Sequence, residues 1–172
     1  GYMGTINSTR LDGELLYQII SQRPDYSFVF TGPEDDIFRR DRIHSLKNAY
    51  FTGQKKVDEL PAYIAAYDVC INPQMVNEIT DGNYPLKIDE YLAMGKPTVA
   101  TSTHTMRNIV TGHTHLAINP EEWLAAIDRA VTEADDKELA KQRITFAETH
   151  SWGHSVKKIY EIIDSFLKKK TT

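Results

Sequence analysis

The sequence predicts an α/β domain, a doubly wound parallel sheet of the Rossmann-like type in three layers, with extra helices at its C-terminal end. Short apolar runs alternate with helical patterns of about 10–15 residues, which is typical of βα units around a parallel sheet. The last helical patterns follow one another without a strand between them. At 172 residues, 41% of them hydrophobic, the chain has the size and the apolar content of one domain, covering residues 1–172.

The N-terminal half alternates strands and helices. Strands are predicted at 1–5, 26–31, 49–52 and 68–71, and helices at 12–22 and 57–66, with a further short helix before residue 49. The first helix has apolar residues at helical spacing, namely Leu15, Leu16, Ile19 and Ile20. Turn residues end the elements: Pro24 follows the first helix, Gly32 the second strand and Gly53 the third.

The C-terminal half is predicted to contain more helices than strands. Strands are predicted at 97–101 and 115–118, and helices at 85–94, 121–133, 136–149 and 152–169. Gly95 is expected to cap the helix that begins at Pro85. The final helix is amphipathic, with one apolar stripe formed by Val156, Ile159, Tyr160, Ile163 and Phe166.

Composition and charge exclude several classes of protein. Twenty Lys and Arg against 24 Asp and Glu give a net charge of −4, which argues against broad nucleic-acid binding. The single cysteine, Cys70, cannot form an internal disulfide and reads as a small buried hydrophobe. No apolar stretch reaches the roughly 20 residues of a membrane span. We expect a cytoplasmic protein, with the inner face of the membrane as an alternative.

Lysines close the last helix. Lys168, Lys169 and Lys170 favour a solvated helix end, and peripheral contact with an anionic membrane surface is the alternative. At the other terminus, Gly1–Gly4 reads as the interior of a strand, so we expect the sequence to be part of a longer protein.

The polar, irregular segment 72–83 is the predicted functional loop. Ligands of an open parallel sheet bind beyond the carboxyl ends of its strands. Pro85 suits the first position of a helix, which leaves Gly82, Asn83 and Tyr84 at the helix entrance with amides available to an anion. Gly82 would let a diphosphate approach the backbone closely.

Three polar residues share one face of the predicted helix. Asn83, Lys87 and Glu90 are spaced by four and three residues. A cation near the entrance and a carboxylate one turn further on suit a ligand with an anionic end and a hydroxyl-rich body. The alternative is that Lys87 and Glu90 form only a solvated surface pair.

The stretch from Asn83 to Ala100, NYPLKIDEYLAMGKPTVA, resembles the Pro-x-Lys-x-x-Glu-Tyr-x-Ala-x-Gly-Lys-Pro-Val-Val block of retaining glycosyltransferases of the GT-B architecture. Residues 60–73 resemble the helix and strand before that block. Residues 1–5, 23–33 and 151–152 also fit in order, so the resemblance covers nearly the whole chain.

The resemblance implies roles for individual residues. Glu90 matches the glutamate that holds the donor ribose, and residues 82–84 match the loop that receives the diphosphate. Arg10 lies where many relatives place a lysine on the diphosphate. Thr5 lies where they often carry an arginine, so half of the basic clamp is absent or Lys87 replaces it. After the third strand, a nucleobase contact or a plain surface turn is implied for Gln54 and Lys55.

The chain departs from the family at one site. Many relatives carry a second glutamate seven residues before the one that Glu90 matches, and it addresses the donor sugar. Here that position is Gly82. Asp81 and Glu78 are the neighbouring carboxylates that could take its place, and Asp81 is better placed at the tip of the loop.

The function implied is transfer of a sugar from a nucleotide-diphosphate donor, such as a UDP- or GDP-sugar, to a glycan or lipid-linked acceptor with retention. Acceptor groups would come from an N-terminal domain absent from this sequence, so the isolated chain is expected to be inactive. No cofactor is implied. No metal is required either, because amides, a helix dipole and one or two cations would stabilise the leaving diphosphate. His113 and His115 could share a strand face as metal ligands, but no third ligand has suitable spacing.

Other functions stay open at this point. A nucleotide-sugar epimerase or a phosphorylase could use the same scaffold. The first should have more carboxylates and histidines in its pocket, and the second needs a cofactor lysine. A non-catalytic regulatory or interaction module is the alternative from another class, which the missing glutamate and Thr5 favour. His104 is read as an exposed loop histidine.

Overall fold

The computed structural model describes residues 1–78, 80–110 and 112–170, without the side chains of Lys169 and Lys170. Within these residues the strands are β1 (Tyr2–Met3), β2 (Phe28–Thr31), β3 (Ala49–Gly53), β4 (Cys70–Asn72), β5 (Thr98–Thr101) and β6 (His115–Ala117). The helices are α1 (Gly13–Ser21), α2 (Leu60–Ala66), α3 (Lys87–Ala93), α4 (His104–Ile109), α5 (Pro120–Thr132), α6 (Lys137–Glu148) and α7 (Trp152–Lys170).

The pairings between the six named strands are parallel, whereas an isolated bridge between Leu11 and Gln74 is antiparallel. One set runs β1-β2-β3 and the other β4-β5-β6. Gly1 joins the two sets, because its amino nitrogen donates to the carbonyl of Val69 at 2.6 Å and its carbonyl accepts from the amide of Ile71 at 2.8 Å. The combined order is β3-β2-β1-β4-β5-β6, the doubly wound arrangement with its switch point between β1 and β4. The predicted fold class is confirmed.

Successive strand residues face opposite layers. On one side, Phe30 and Val99 pack with the buried apolar faces of α1 and α5, including Leu16 and Trp123. The other side is covered by α2, α3, α4 and α6, and the residues buried there include Met3, Cys70 and Ala100 together with Ile64, Tyr91, Leu92, Met106 and Ala147. A fully buried Leu or Ile contributes about 1.5–3 kcal/mol, so the two layers hold the sheet from both faces.

Two differences from the predicted elements concern helices α2 and α4. The pattern over 57–66 divides into a 3₁₀ turn, Val57–Glu59, and α2, because Pro61 falls in the first turn of α2, where its missing N–H breaks no hydrogen bond. Helix α4 was not predicted. Thr103 starts it by accepting a hydrogen bond from the amide of Met106 at 3.2 Å. His104 therefore heads a helix rather than lying in a loop, and its side chain is exposed.

Helix α7 has the predicted amphipathic pattern, and its apolar stripe is exposed. Ile159, Tyr160 and Phe166 are 55%, 64% and 58% exposed, and Trp152 at the start of the helix is 82% exposed. Of the three lysines considered for a membrane surface, the side chains of Lys169 and Lys170 lie outside the described part. Within the described part of the chain, no helix has the length and hydropathy that crossing a membrane requires.

Candidate functional site

A cleft of about 870 Å³ lies at the switch point between β1 and β4. Its lining comes from the carboxyl end of β1, the loop that leads to α1, the end of β4 and the N-terminal part of α3. Several lining residues were predicted from the sequence: Arg10, Gln54, Lys55, Asn83, Tyr84, Lys87 and Glu90. Gly82, Asp81 and Glu78 are not among the residues that line it.

Lys87 is held at the base of this cleft by Tyr2. Its ammonium donates to the phenolic oxygen of Tyr2 at 2.7 Å and lies 4.1 Å from the centre of the ring. The Tyr2 hydroxyl donates its own proton to the carbonyl of Thr5 at 2.9 Å, so it is left to accept from Lys87. Gly4 makes the approach feasible, because a Cβ at that position would lie 2.7 Å from the Lys87 nitrogen.

The charge of Lys87 is only partly offset. Among the described residues it makes no ion pair, so the solvated pair with Glu90 considered above is not formed. Burial lowers the pKa of Lys87 to about 8, with Glu90 opposing the shift and Arg10 adding to it. A bound anion would stabilise the protonated form of this lysine, so a buried ammonium with a lowered pKa favours an anionic ligand.

Glu90 and Arg10 flank the cleft with their charged groups free. Glu90 follows Lys87 by three residues on α3, is exposed, and its carboxylate accepts no hydrogen bond within the described ranges. Arg10 lies in the loop between β1 and α1, is also exposed, and its guanidinium forms no ion pair there. Both groups are therefore available to a bound molecule.

The helix entrance differs from the one predicted. Helix α3 begins at Lys87 rather than Pro85, and Leu86 precedes it without a side-chain cap. The chain tightens first, since the amide of Ile88 donates to the carbonyl of Pro85 at 2.9 Å. The amide of Asn83, predicted to be free, donates to the carbonyl of Thr80 at 3.2 Å. The predicted row of free amides at 82–84 is thus wrong for Asn83, while its side chain still lines the cleft.

The carboxylates suggested for a sugar contact lie elsewhere. Asp81 accepts a hydrogen bond from the amide of His104 at 2.9 Å, and its carbonyl accepts from the Thr105 hydroxyl at 3.1 Å. Asp81 therefore braces the loop against the first turn of α4. Glu78 is exposed outside the cleft. Their contact with the sugar stays a prediction, and neither residue is part of the cleft lining.

Tyr84 lines the cleft, but its hydroxyl is already engaged. It donates to a carboxylate oxygen of Asp89 at 2.6 Å, and the same oxygen lies 2.8 Å from Nδ1 of His150. Burial, and then the bond to Asp89, raise the pKa of Tyr84 well above its usual value. This network ties the cleft wall to the junction between α6 and α7. Sequence reasoning missed Asp89 and His150, which are 61 positions apart.

Gln54 and Lys55 lie directly after β3, at the far end of the same cleft. Gln54 is exposed, and the Lys55 ammonium lies 5.4 Å from the centre of the Tyr63 ring. Their position beyond a strand end agrees with the place predicted for them, and the contact with a base stays a prediction.

The two histidines weighed as metal ligands have structural partners. The ring of His113 stacks on Phe146 with centroids 4.2 Å apart, and Nε2 of His115 pairs with Glu133 at 2.9 Å. Across residues 1–78, 80–110 and 112–170, no group of three or more His, Cys, Asp or Glu side chains is arranged to hold a metal.

Comparison with known proteins identifies the family. The family model described as "Glycosyl transferases group 1" matches residues 13–133. The chain belongs to this glycosyltransferase family. A curated relative, TuaH of Bacillus subtilis (strain 168), a glycosyltransferase whose name assigns it to teichuronic acid biosynthesis, is 26% identical over 158 residues, which cover 88% of this chain and 39% of TuaH.

Solved structures support the same fold. Sucrose-phosphate synthase from Thermosynechococcus elongatus superposes with a TM-score of 0.72 at 19% identity, covering 97% of this chain and 46% of that one. The Anabaena protein HepE in complex with UDP and glucose gives a TM-score of 0.59 at 18% identity, covering 97% and 48%. The chain therefore spans less than half the length of these relatives.

Proposed function

We propose that this glycosyltransferase chain is the donor-binding domain, which takes up a sugar carried on a nucleoside diphosphate. The observation that carries the proposal is the charge arrangement at the switch-point cleft. Among the described residues, Lys87 and Arg10 bring to the cleft two cations that form no ion pair, and Glu90 adds a carboxylate that accepts no hydrogen bond, on the same helix as Lys87. The two cations suit a diphosphate, and the carboxylate can accept hydrogen bonds from the two neighbouring hydroxyls of a ribose.

The cations would also assist the chemistry. When the bond to the sugar breaks, negative charge grows on the leaving diphosphate, and fixed positive groups stabilise that charge most when they need no reorganisation. Lys87 meets this condition, because Tyr2 and the carbonyl of Thr5 orient its ammonium before any ligand arrives. Arg10, in the loop between β1 and α1, would add a second positive charge at the same cleft.

A second domain would complete the enzyme. The chain spans 39% of the length of TuaH, and the exposed apolar stripe of α7 fits a helix that packs on further protein. We therefore propose that an N-terminal domain supplies the glycan or lipid-linked acceptor and that this chain alone binds donor without turnover. Retention at the anomeric carbon, a cytoplasmic location and membrane contact through the C-terminal lysines stay predictions.

Thermal unfolding in the presence of UDP, GDP and ADP tests the proposal, because a ligand that binds only the folded state raises the midpoint. We expect one of the three to raise it for the wild type and the shift to disappear in Glu90→Ala and Arg10→Ala. Glu148→Ala, which removes an exposed carboxylate on α6 remote from the cleft lining, is the matched control and should behave as the wild type.

The other readings predict different results. No shift with any nucleotide would contradict the donor-binding proposal and favour a non-catalytic module. Conversion of a nucleotide-sugar into its epimer by the chain alone would favour the epimerase. Equal shifts in the wild type and Glu90→Ala would remove Glu90 from the site.

A further inference from the structure

Asn72 leaves an unsatisfied polar atom at the floor of the cleft. It is the last residue of β4, it lines the cleft, and it is only 1% exposed. Its side-chain oxygen is buried and has no hydrogen-bond partner among the described residues. A buried acceptor without a partner lowers stability, and such a group in a native protein calls for an explanation.

The neighbouring hydroxyls do not supply the missing partner. The hydroxyl of Thr31, in the same cleft, pairs with Tyr67 at 2.6 Å and with Thr52 at 2.9 Å. The hydroxyl of Thr101, on the adjacent strand, donates to the carbonyl of Gln74 at 2.8 Å. The partner for Asn72 is therefore to be sought in whatever occupies the cleft.

The chemistry of a carboxamide oxygen narrows the choice of ligand group. The oxygen only accepts hydrogen bonds, and the oxygens of a diphosphate at neutral pH do the same. In the orientation that the Asn72 side chain has here, a diphosphate therefore cannot satisfy the buried oxygen, whereas a hydroxyl can. Sugar hydroxyls are the donors that a nucleotide-sugar carries in greatest number.

The order of the strands indicates which sugar of a nucleotide-sugar would lie near Asn72, the ribose or the transferred sugar. Across the cleft the strands follow the order β3-β2-β1-β4. Gln54 follows β3, Lys87 contacts β1 through Tyr2, and Asn72 is the last residue of β4. Three strand spacings of about 4.8 Å make roughly 14 Å, a span that suits an extended nucleotide-sugar. A base near Gln54 and a diphosphate near Lys87 then leave the transferred sugar above β4.

We propose that Asn72 binds a hydroxyl of the transferred sugar and so distinguishes the loaded donor from the spent nucleotide. The inference rests on the proposed function, since it assumes that the cleft takes a nucleotide-sugar. It assigns the sugar contact to the strand end rather than to Asp81 or Glu78, which lie outside the cleft lining.

Calorimetric titration of this chain tests the inference, with UDP against UDP-glucose and GDP against GDP-mannose as probes. Asn72→Leu replaces the carboxamide by an apolar group of similar size. We expect it to bind the nucleoside diphosphate as the wild type does and to bind the nucleotide-sugar about tenfold more weakly. The ligand-free variant should unfold at the same temperature as the wild type or higher, because it lacks the unsatisfied atom.

Thr31→Val is the matched control. It removes a polar group that is buried in the same cleft but already has protein partners, so it should lower the midpoint and leave the ratio of the two affinities unchanged. An unchanged ratio in Asn72→Leu, or equal weakening of both ligands, would overturn the inference while the donor-binding proposal stands. A wild type that binds neither member of either pair would overturn both.

Discussion

The ammonium of Lys87 lies 2.7 Å from the phenolic oxygen of Tyr2, across 85 positions of the sequence. This contact joins the first turn of α3 to β1 at the switch point of the sheet. It also buries a cation beside a cleft, and burial lowers the pKa of Lys87 to about 8. The charge of the site therefore changes within an accessible range of pH.

Affinity for a nucleoside diphosphate should fall as pH rises through about 8, because Lys87 loses its proton there. Lys87→Met should bind about tenfold more weakly at pH 7 and show little change between pH 7 and 9. Arg10→Met should also bind more weakly yet keep the pH dependence, since Lys87 remains. Titration at several pH values measures both, and the same slope in Lys87→Met and wild type would contradict the prediction.

Stability should respond to Lys87 in the opposite direction. The folded-state pKa of about 8 lies below the ordinary value of 10.5, so between these values the unfolded chain binds more protons and stability rises with pH. Below pH 8 the buried charge destabilises the folded state in full. Lys87→Met should therefore gain most over the wild type near pH 7 and lose this advantage towards pH 10.5, as measured by urea unfolding at each pH.

Two neighbouring carboxylates on α3 should differ in their roles, with Asp89 contributing to stability and Glu90 to binding. Asp89 accepts from Tyr84 and lies 2.8 Å from His150, so Asp89→Ala should lower the free energy of unfolding by about 1–2 kcal/mol. For a protein of this size, each kcal/mol lost lowers the midpoint of thermal unfolding by roughly 2–4 °C. Glu90→Ala should leave the midpoint of the ligand-free protein unchanged. Equal loss of stability in the two variants, seen by calorimetry, would contradict the assignment.

Two glycines offer another contrast. A Cβ on Gly32 would lie 2.0 Å from the carbonyl oxygen of Gly4, and Gly32 has a φ of +145°. Gly32→Ala should lose more than about 4 kcal/mol or fail to fold. Gly82 has open space around it, so Gly82→Ala should stay within about 0.5 kcal/mol of the wild type. It should also bind nucleotide unchanged, and weaker binding would restore the diphosphate role predicted for Gly82.

Arg143 and Glu133 form a pair that is largely shielded from solvent, with side chains 6% and 19% exposed, and His115 contacts the same carboxylate. Arg143→Leu should lower the free energy of unfolding by about 3 kcal/mol, because the shielded carboxylate of Glu133 then keeps His115 and loses its arginine partner. The double variant with Glu133→Leu should recover part of that loss. Urea denaturation of the three proteins measures the coupling, and a double variant less stable than Arg143→Leu would count against it.

Much of this protein was determined by local sequence. The apolar spacing in 12–22 predicted α1, observed at Gly13–Ser21, and the strand and helix order that makes the sheet doubly wound came from the same kind of pattern. Lys87 and Glu90 share a helix at a spacing of three residues, so their common side could be predicted. Such features depend on neighbours within a turn or two, which the sequence states directly.

The tertiary structure decided the rest. That Lys87 meets Tyr2, that Asp89 meets His150, and that Asp81 turns towards α4 all depend on segments distant in the chain being packed together. Periodicity records which side of an element is buried and not which residue lies opposite. Whether the side-chain oxygen of Asn72 has a partner depends on such distant segments too, and among the described residues it has none.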